Sequence, residues 1–598
     1  MKSKRIIALV LLCFVCLAGC AEAAPKVRTC HVVLEEGPGF ESDRYTRVVK
    51  AGQDAVFTLR PKEGYTIREA DYGNYTLTAG TGGVVTLTLH NVRYSESVSL
   101  TAVPSDVTLS YHANGGARLD GGNPEEPTEI PVIPSHLRLN TSTGIGLFTR
   151  SGYTLLGWNT APDGSGEAVG LGSRVTPEAG LVLYAQWVKW TEESLFHWER
   201  VGNCAAITGY TGHGDILCVP AALGGLPVEI IRAGAFENAA CEILILPHTL
   251  RTIENGAFKG AAAEKLWLSD SLQTVSDYSF AGCEKLRTLH INAVEAPVYA
   301  GTYYATFPDK FDRLLKLAPQ RKIVLFSGSS TRFGYDSQMI DEAFPDYAVV
   351  NMGVFAYTNA APQLELILTC MGQGDILIHA PEFDAAQRQF CTNHRLDAPF
   401  FNMVEGNYDL AAALDLRQYS GVFEALQEYL TARRDMERRS YGLSPSDYDE
   451  DGNPVDTPSY NAYGDYIPYR PNGQSPEPIY GLPVNYTVMA YPKAMYLVPL
   501  NEMYGRFLER GVRVYFTYAP RNCLAISEDS TYEARQELDR YFRENLSIPV
   551  LGTLEESLWS GIYLHGTDNH LSTEGVAIRT ERIIGQLKAQ LEQEAEHE

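Results

Sequence analysis

The sequence predicts a chain of several domains: two small N-terminal β modules, a short solenoid of repeats and a C-terminal three-layer α/β domain. Three observations predict it. A length of 598 residues is more than one hydrophobic core serves, so several domains are expected. Phe236, Phe258 and Phe280 recur at a step of 22, and Ile231, Ile253 and Val275 keep the same step, which is the mark of stacked repeats. From about Val298 onward, short apolar runs alternate with amphipathic stretches, the order that winds strands and helices into a parallel sheet.

Composition narrows the partners. Hydrophobic residues make up 45% of the chain and charged residues 20%, as in folded material. The net charge of -24 argues against nucleic acid as a partner, because phosphate backbones need surfaces of Lys and Arg.

The first segment, residues 1–19, is an export signal: Lys2, Lys4 and Arg5 precede an apolar run from Ile6 to Leu17 that is too short for a permanent span. It closes on Leu17-Ala18-Gly19-Cys20, which resembles the lipobox of bacterial lipoproteins. The resemblance implies that Cys20 is acylated and that the protein hangs outside the cytoplasm, lipid-anchored to the bacterial cell membrane or surface. The alternative is an ordinary secretory signal cut near Ala23-Ala24. Apart from Cys13, Cys16 and Cys20 the cysteines are scattered without CxxC spacing, so neither a zinc site nor a dense disulfide framework is indicated, and no cofactor is expected.

Residues 27–105 alternate at Phe57 and Leu59 and again at Val85, Leu87 and Leu89, the period of half-buried strands. Gly64-Tyr65-Thr66-Ile67 resembles bacterial extracellular β-repeats that carry a Gly-Tyr after a strand. Residues 106–189 hold Asn114-Gly115-Gly116, Gly152-Tyr153-Thr154-Leu155-Leu156-Gly157-Trp158-Asn159 and Leu183-Tyr184-Ala185-Gln186-Trp187. In that order the pieces are similar to the internalin B-repeat, a small β-grasp-like module of bacterial surface proteins. Tyr153, Trp158, Tyr184 and Trp187 supply the apolar faces that so small a module needs for a core.

Across residues 205–297, Leu244 and Leu246 recur as Leu266 and Leu268, then as Leu289 and Ile291, giving one strand and one turn per repeat. The units resemble BspA-type leucine-rich repeats. Such a solenoid either binds a surface ligand or spaces the domain that follows it.

Residues 298–598 carry the chemistry. Strands are expected at Ile323 to Phe326, Ala348 to Asn351, Asp375 to His379, Val512 to Tyr518 and Ile548 to Leu551, and helices at Gln363 to Met371, Asp409 to Arg439, Asn501 to Arg510, Tyr532 to Glu544 and Gly575 to Glu592. A Pro-, Tyr- and Gly-rich stretch, 441–483, has no periodicity and reads as a long loop. Two stretches stand out. Gly328-Ser329-Ser330 follows the first strand, where open α/β sheets hold ligands, and His565-Gly566-Thr567-Asp568-Asn569-His570 leads into the last helix. A serine hydroxyl needs a base to take its proton, and the base works best when a carboxylate fixes its tautomer.

The order of elements resembles the SGNH (GDSL-like) hydrolases, which implies a flavodoxin-like fold and ester chemistry. Position by position, the resemblance makes Ser330 the nucleophile and His570 the base. The N–H groups of Ser330 and Gly353 become oxyanion donors, with Asn359 standing in for an asparagine that the third strand lacks. Thr567 occupies the place of the family's aspartate, so either Asp568 orients His570 from a different path or the pair is a dyad. The implied function is a cell-surface esterase or acyltransferase acting on a small ester or an acylated glycan. The alternatives are a non-catalytic surface adhesin with a degenerate scaffold, and a metal site from His565, Asp568, His570 and Glu382, which ranks below the serine because no HExxH-type spacing occurs.

Overall fold

In the computed structural model the described residues are 29–597, apart from 36–38, 63–64, 68–69, 72–74, 101, 105–107, 132–138, 141–145, 176–180, 296, 300–301, 303, 356, 385–393, 440–460, 462, 467–469, 474–476 and 479–482. The export signal and Cys20 lie outside them, as do Gly64 and most of the first half of the 441–483 loop. No helix among the described residues is long and apolar enough to cross a membrane.

The first module pairs Phe40–Ser42, Gln53–Pro61, Val85–Val92, Tyr75–Ala79 and Ala70–Asp71 into one sheet, and Thr46–Lys50, Thr29–Glu35 and Glu96–Ser99 into another. Its alternating residues Phe57, Leu59, Leu87 and Leu89 form part of a core of its own. The second module orders Thr128–Pro131, Thr108–His112, Val182–Lys189, Tyr153–Asn159 and Ala168–Gly170 side by side. Its core is centred on Trp158, 1% exposed, with Tyr111 edge-on at 4.8 Å. Tyr153, Tyr184 and Trp187 are only half-buried, so the expected aromatic core is carried by Trp158 and Tyr111. Gly116 has a specific reason: a Cβ there would meet the Trp187 ring at 2.7 Å.

The repeats stack as two parallel sheets. Cys204–Tyr210, Leu226–Ile231, Thr252–Ile253 and Thr274–Val275 follow one another in the first, and Ile216–Cys218, Ile243–Ile245, Lys265–Ser269 and Thr288–Asn292 in the second. The 22-residue step places Phe236 over Phe258 and Phe258 over Phe280, each pair with ring centroids 4.9 Å apart and nearly parallel. That spacing is the distance between neighbouring strands of a sheet, so the rings climb in step with the backbone. A fourth ring, Phe423, continues the ladder at 4.2 Å from Phe280, and it belongs to a helix of the C-terminal region.

The C-terminal region is built on five parallel strands, β1 (Lys322–Phe326), β2 (Ala348–Asn351), β3 (Ile376–His379), β4 (Arg513–Thr517) and β5 (Val550–Leu551), in the spatial order β2-β1-β3-β4-β5. Every residue of β1 is buried, as a strand covered on both faces requires. Its alternate residues face opposite layers. Ile323 and Leu325 pack with α3 (Ser337–Ala343) and α9 (Thr573–His597), whereas Val324 and Phe326 join a core with α1 (Thr306–Lys316), α4 (Ala360–Thr369), α7 (Val498–Glu509) and α8 (Tyr532–Asn545). Two short helices complete the set: α2 (Ser329–Arg332) directly after β1, and α5 (Ala398–Val404).

The helix expected from Asp409 to Arg439 is instead three pieces: Asp409–Ala412, a turn at Leu416–Gln418 and α6 (Val422–Arg439). Gly421 breaks it with a φ of 68°, a left-handed value that favours glycine. Ser420 there also pairs with the segment at Arg395, and Leu396 N–H donates to the Ser420 carbonyl.

The solenoid and the C-terminal region share one core, which runs from Phe196 to Leu554. Arg433 of α6, 3% exposed at its side chain, ties the two together with bonds to Glu405 and Glu295 at 2.7 Å and to the Asp270 carbonyl at 3.1 Å. The second module reaches across as well: Arg174 bridges Asp309 and Asp312 of α1, both at 2.7 Å.

Candidate functional site

The carboxyl ends of β1, β2 and β3, together with the turn before α9, bring the candidate residues to one edge of the sheet. The β1 strand ends at Phe326 and Gly328 precedes α2, so Ser329 is the first helical residue and Ser330 the second. His570 Nε2 lies 2.8 Å from Ser329 Oγ. The structure therefore joins His570 to Ser329 and not to Ser330, a correction of one position. Its physical reason is the tight turn: Ser329 is partly open, whereas Ser330 points inward and is 0% exposed.

The expected oxyanion donors also move. The first N–H groups of a helix have no partner within it, which makes them available to other acceptors. Ser330 N–H is already taken, donating to Glu382 Oε1 at 2.8 Å. Gly353 N–H donates to Asn351 Oδ1 at 2.9 Å, so it too is occupied. Gly353 serves packing instead, since a Cβ on it would lie 2.4 Å from Arg332 N in α2. Asn359 sits at the start of α4, where its amide donates to the Arg395 carbonyl and its N–H to Asp397 Oδ2. Ser329's own N–H, the first of α2, is the remaining donor at this helix end.

Asp568 is fully buried, and its Oδ1 accepts from Asn522 Nδ2 at 3.4 Å. Thr567, in the place expected of an acid, works on the backbone: its hydroxyl accepts the N–H groups of Asn569 and His570, at 3.3 and 2.9 Å. Among the described residues no group of three or more His, Cys, Asp or Glu is placed to hold a metal ion, which counts against the His565, Asp568, His570 and Glu382 alternative.

The surroundings of His570 are aromatic and cationic. Its ring lies 4.2 Å from that of Phe333, which in turn meets Tyr466 edge-on at 4.4 Å. Arg470 Nε donates to the Leu571 carbonyl at 2.7 Å and its NH2 to the Phe333 carbonyl at 3.1 Å, so one guanidinium spans the histidine turn and the end of α2. Arg579 of α9 donates to the Ser330 carbonyl at 3.2 Å. Burial, then Arg470 and Arg332, push the His570 imidazole down to about 3. The ring is neutral at pH 7, and Nε2 accepts from the Ser329 hydroxyl when the ring proton sits on Nδ1.

Sequence reasoning missed several contributors. Glu382 was visible only as a metal ligand, yet it grips Ser330 N–H through Oε1 and accepts from Asn569 Nδ2 through Oε2. Tyr466 and Arg470 come from the aperiodic 441–483 stretch, whose described part also delivers Asp465 to Ser337 and Asn351 at 2.7 and 2.8 Å. A long loop rich in aromatic residues beside a sheet edge was the available signal.

Residues 227–304 match the model of the BspA type leucine rich repeat region, in six copies, and residues 108–186 match that of the Listeria-Bacteroides repeat domain. Both kinds of repeat are typical of surface proteins. A solved structure, the crystal structure of the T. pallidum leucine rich repeat protein (TpLRR), is similar at 15% identity with a TM-score of 0.17, covering 42% of this chain and 97% of that one. No curated protein matches.

Proposed function

We propose that the C-terminal region is an SGNH-like acyl-transfer site on an exported, lipid-anchored surface protein, with Ser329 as nucleophile and His570 as base. The observation that carries this is the 2.8 Å contact between Ser329 Oγ and His570 Nε2 at the carboxyl edge of the parallel sheet. The strand order β2-β1-β3-β4-β5 supports a flavodoxin-like scaffold, and the lipobox-like Leu17-Ala18-Gly19-Cys20 supports the anchor.

In this reading His570 takes the Ser329 proton as Oγ attacks an ester carbonyl. The tetrahedral oxyanion rests on the Ser329 N–H, and the imidazolium returns its proton to the departing alcohol. Water or an acceptor hydroxyl then releases the acyl group by the reverse sequence. The ester belongs to a small molecule or an acylated glycan.

The test is labelling of the intact protein by a fluorophosphonate. Wild type and Ser330→Ala label and Ser329→Ala does not. Equal labelling of Ser329→Ala, or none of wild type, defeats the serine mechanism. The matches of 108–186 and 227–304 to surface repeats favour a second reading, a binding protein. It predicts that Ser329→Ala retains every surface-binding property of the wild type in a cell-adhesion assay and that no ester is turned over.

A further inference from the structure

We propose that Glu382 is the positioning residue of the Ser329–His570 pair, a carboxylate clamp that sets the distance between hydroxyl and imidazole. The inference rests on the serine reading above and deepens it. Glu382 lies three residues beyond the end of β3 and is 3% exposed. Its two oxygens face different parts of the site. Oε1 accepts the N–H of Ser330, the residue next to the proposed nucleophile, at 2.8 Å. Oε2 accepts from the side chain of Asn569, the residue next to the proposed base.

The two gripped segments are far apart in sequence and come from separate loops, so chain connectivity alone does not fix their separation. A carboxylate bonded to both segments constrains it. Only the histidine turn has an internal brace, Thr567 on the His570 N–H; α2 is held from outside, by Arg579 of α9 on the Ser330 carbonyl. Arg470 joins the same two segments through backbone carbonyls, at Phe333 and Leu571. Glu382 is the group that joins them immediately beside the reacting atoms. Its burial also argues for purpose, because a buried carboxylate is retained at a desolvation cost unless its bonds are specific. Burial raises its affinity for a proton and the Ser330 N–H opposes this.

The experiment uses the full chain with Glu382→Ala and Glu382→Gln. The fluorophosphonate labelling rate is measured with melting temperature and with hydrogen exchange of peptides covering 326–334 and 565–572. Near-attack geometry is steep in distance, so Glu382→Ala is expected to label roughly 10- to 100-fold more slowly. Glu382→Gln keeps an acceptor for the Ser330 N–H but turns an NH2 toward the Asn569 NH2, so it holds one of the two grips and is expected to label at a rate between wild type and Glu382→Ala, at an unchanged melting temperature. Exchange should rise in both peptides together in Glu382→Ala. A wild-type labelling rate in Glu382→Ala overturns the proposal, as does exchange that rises in one peptide alone or in neither. Failure of the wild type to label overturns the serine reading instead, and joint loosening of the two peptides then decides the clamp by itself.

Discussion

Replacing Arg433 with alanine should separate the solenoid from the C-terminal region. The guanidinium is 3% exposed, and it faces Glu405, Asp270 and the more open Glu295. After the change Glu405 keeps the Tyr429 hydroxyl and the Tyr299 N–H, and Asp270 keeps the Val294 N–H, but both carboxylates remain buried without a counter-charge. Breaking a buried pair from one side typically costs about 3–5 kcal/mol, because the stranded charge is not rehydrated. The deficit should depend on pH with a definite sign. Burial lifts the Asp270 carboxyl from its ordinary 3.8 to about 7, even with Arg433 opposing. Between those values the folded state holds a proton that the unfolded state has released, so this group weakens folding as pH rises from about 4 to 7. Removing Arg433 lifts it further and extends that window upward. Scanning calorimetry should therefore show a larger gap between wild type and Arg433→Ala at pH 8 than at pH 5.5, and a single transition split in two at the higher pH. A variant that melts with the wild type in one transition at pH 8 refutes the argument.

Other outcomes follow from the same geometry. His570 is depressed to about 3, so the unfolded chain binds the extra proton between about 3 and 6.5; this group's contribution falls away on acidification through that window, and the labelling rate of Ser329 should be flat from pH 5 to 8 with no step near 6.5. Gly353→Ala drives a Cβ to within 2.9 Å of Thr331 C and 2.4 Å of Arg332 N, and should cost about 1–3 kcal/mol in denaturant titration while slowing the label. Phe258→Ala removes the middle rung of the ring ladder and should cost about 3–5 kcal/mol, read as a lowered melting temperature of the whole chain.

The repeats were legible because stacking demands repetition. Phe236, Phe258 and Phe280 had to recur for the rings to meet, and a spacing survives in sequence as plainly as in space. The strands of the α/β sheet were legible for a related reason: burial on both faces leaves an unbroken apolar run such as Ile323–Phe326. The site was legible only to its neighbourhood. Whether the first or second serine of Gly328-Ser329-Ser330 meets His570 depends on where α2 begins, a matter of one residue that no periodicity records. Glu382 and Arg470 were hidden because their partners lie in distant segments and include backbone groups, which leave no trace in side-chain pattern. Phe423, which stacks its ring on Phe280, was hidden inside a stretch that reads as an ordinary amphipathic helix.

The ring ladder has a consequence for how the chain can vary. A solenoid with a free end accepts a new copy at little cost, each lengthening it by about 4.8 Å, the spacing of neighbouring strands. Here the last rung, Phe423, comes from outside the repeats, and Arg174 straps the preceding module to Asp309 and Asp312 beyond them. The stack is a strut pinned at both ends. An added or lost copy would keep the local stacking intact and still pull Arg174 out of reach of its partners, so the count of repeats is fixed by the dimensions of the frame around it.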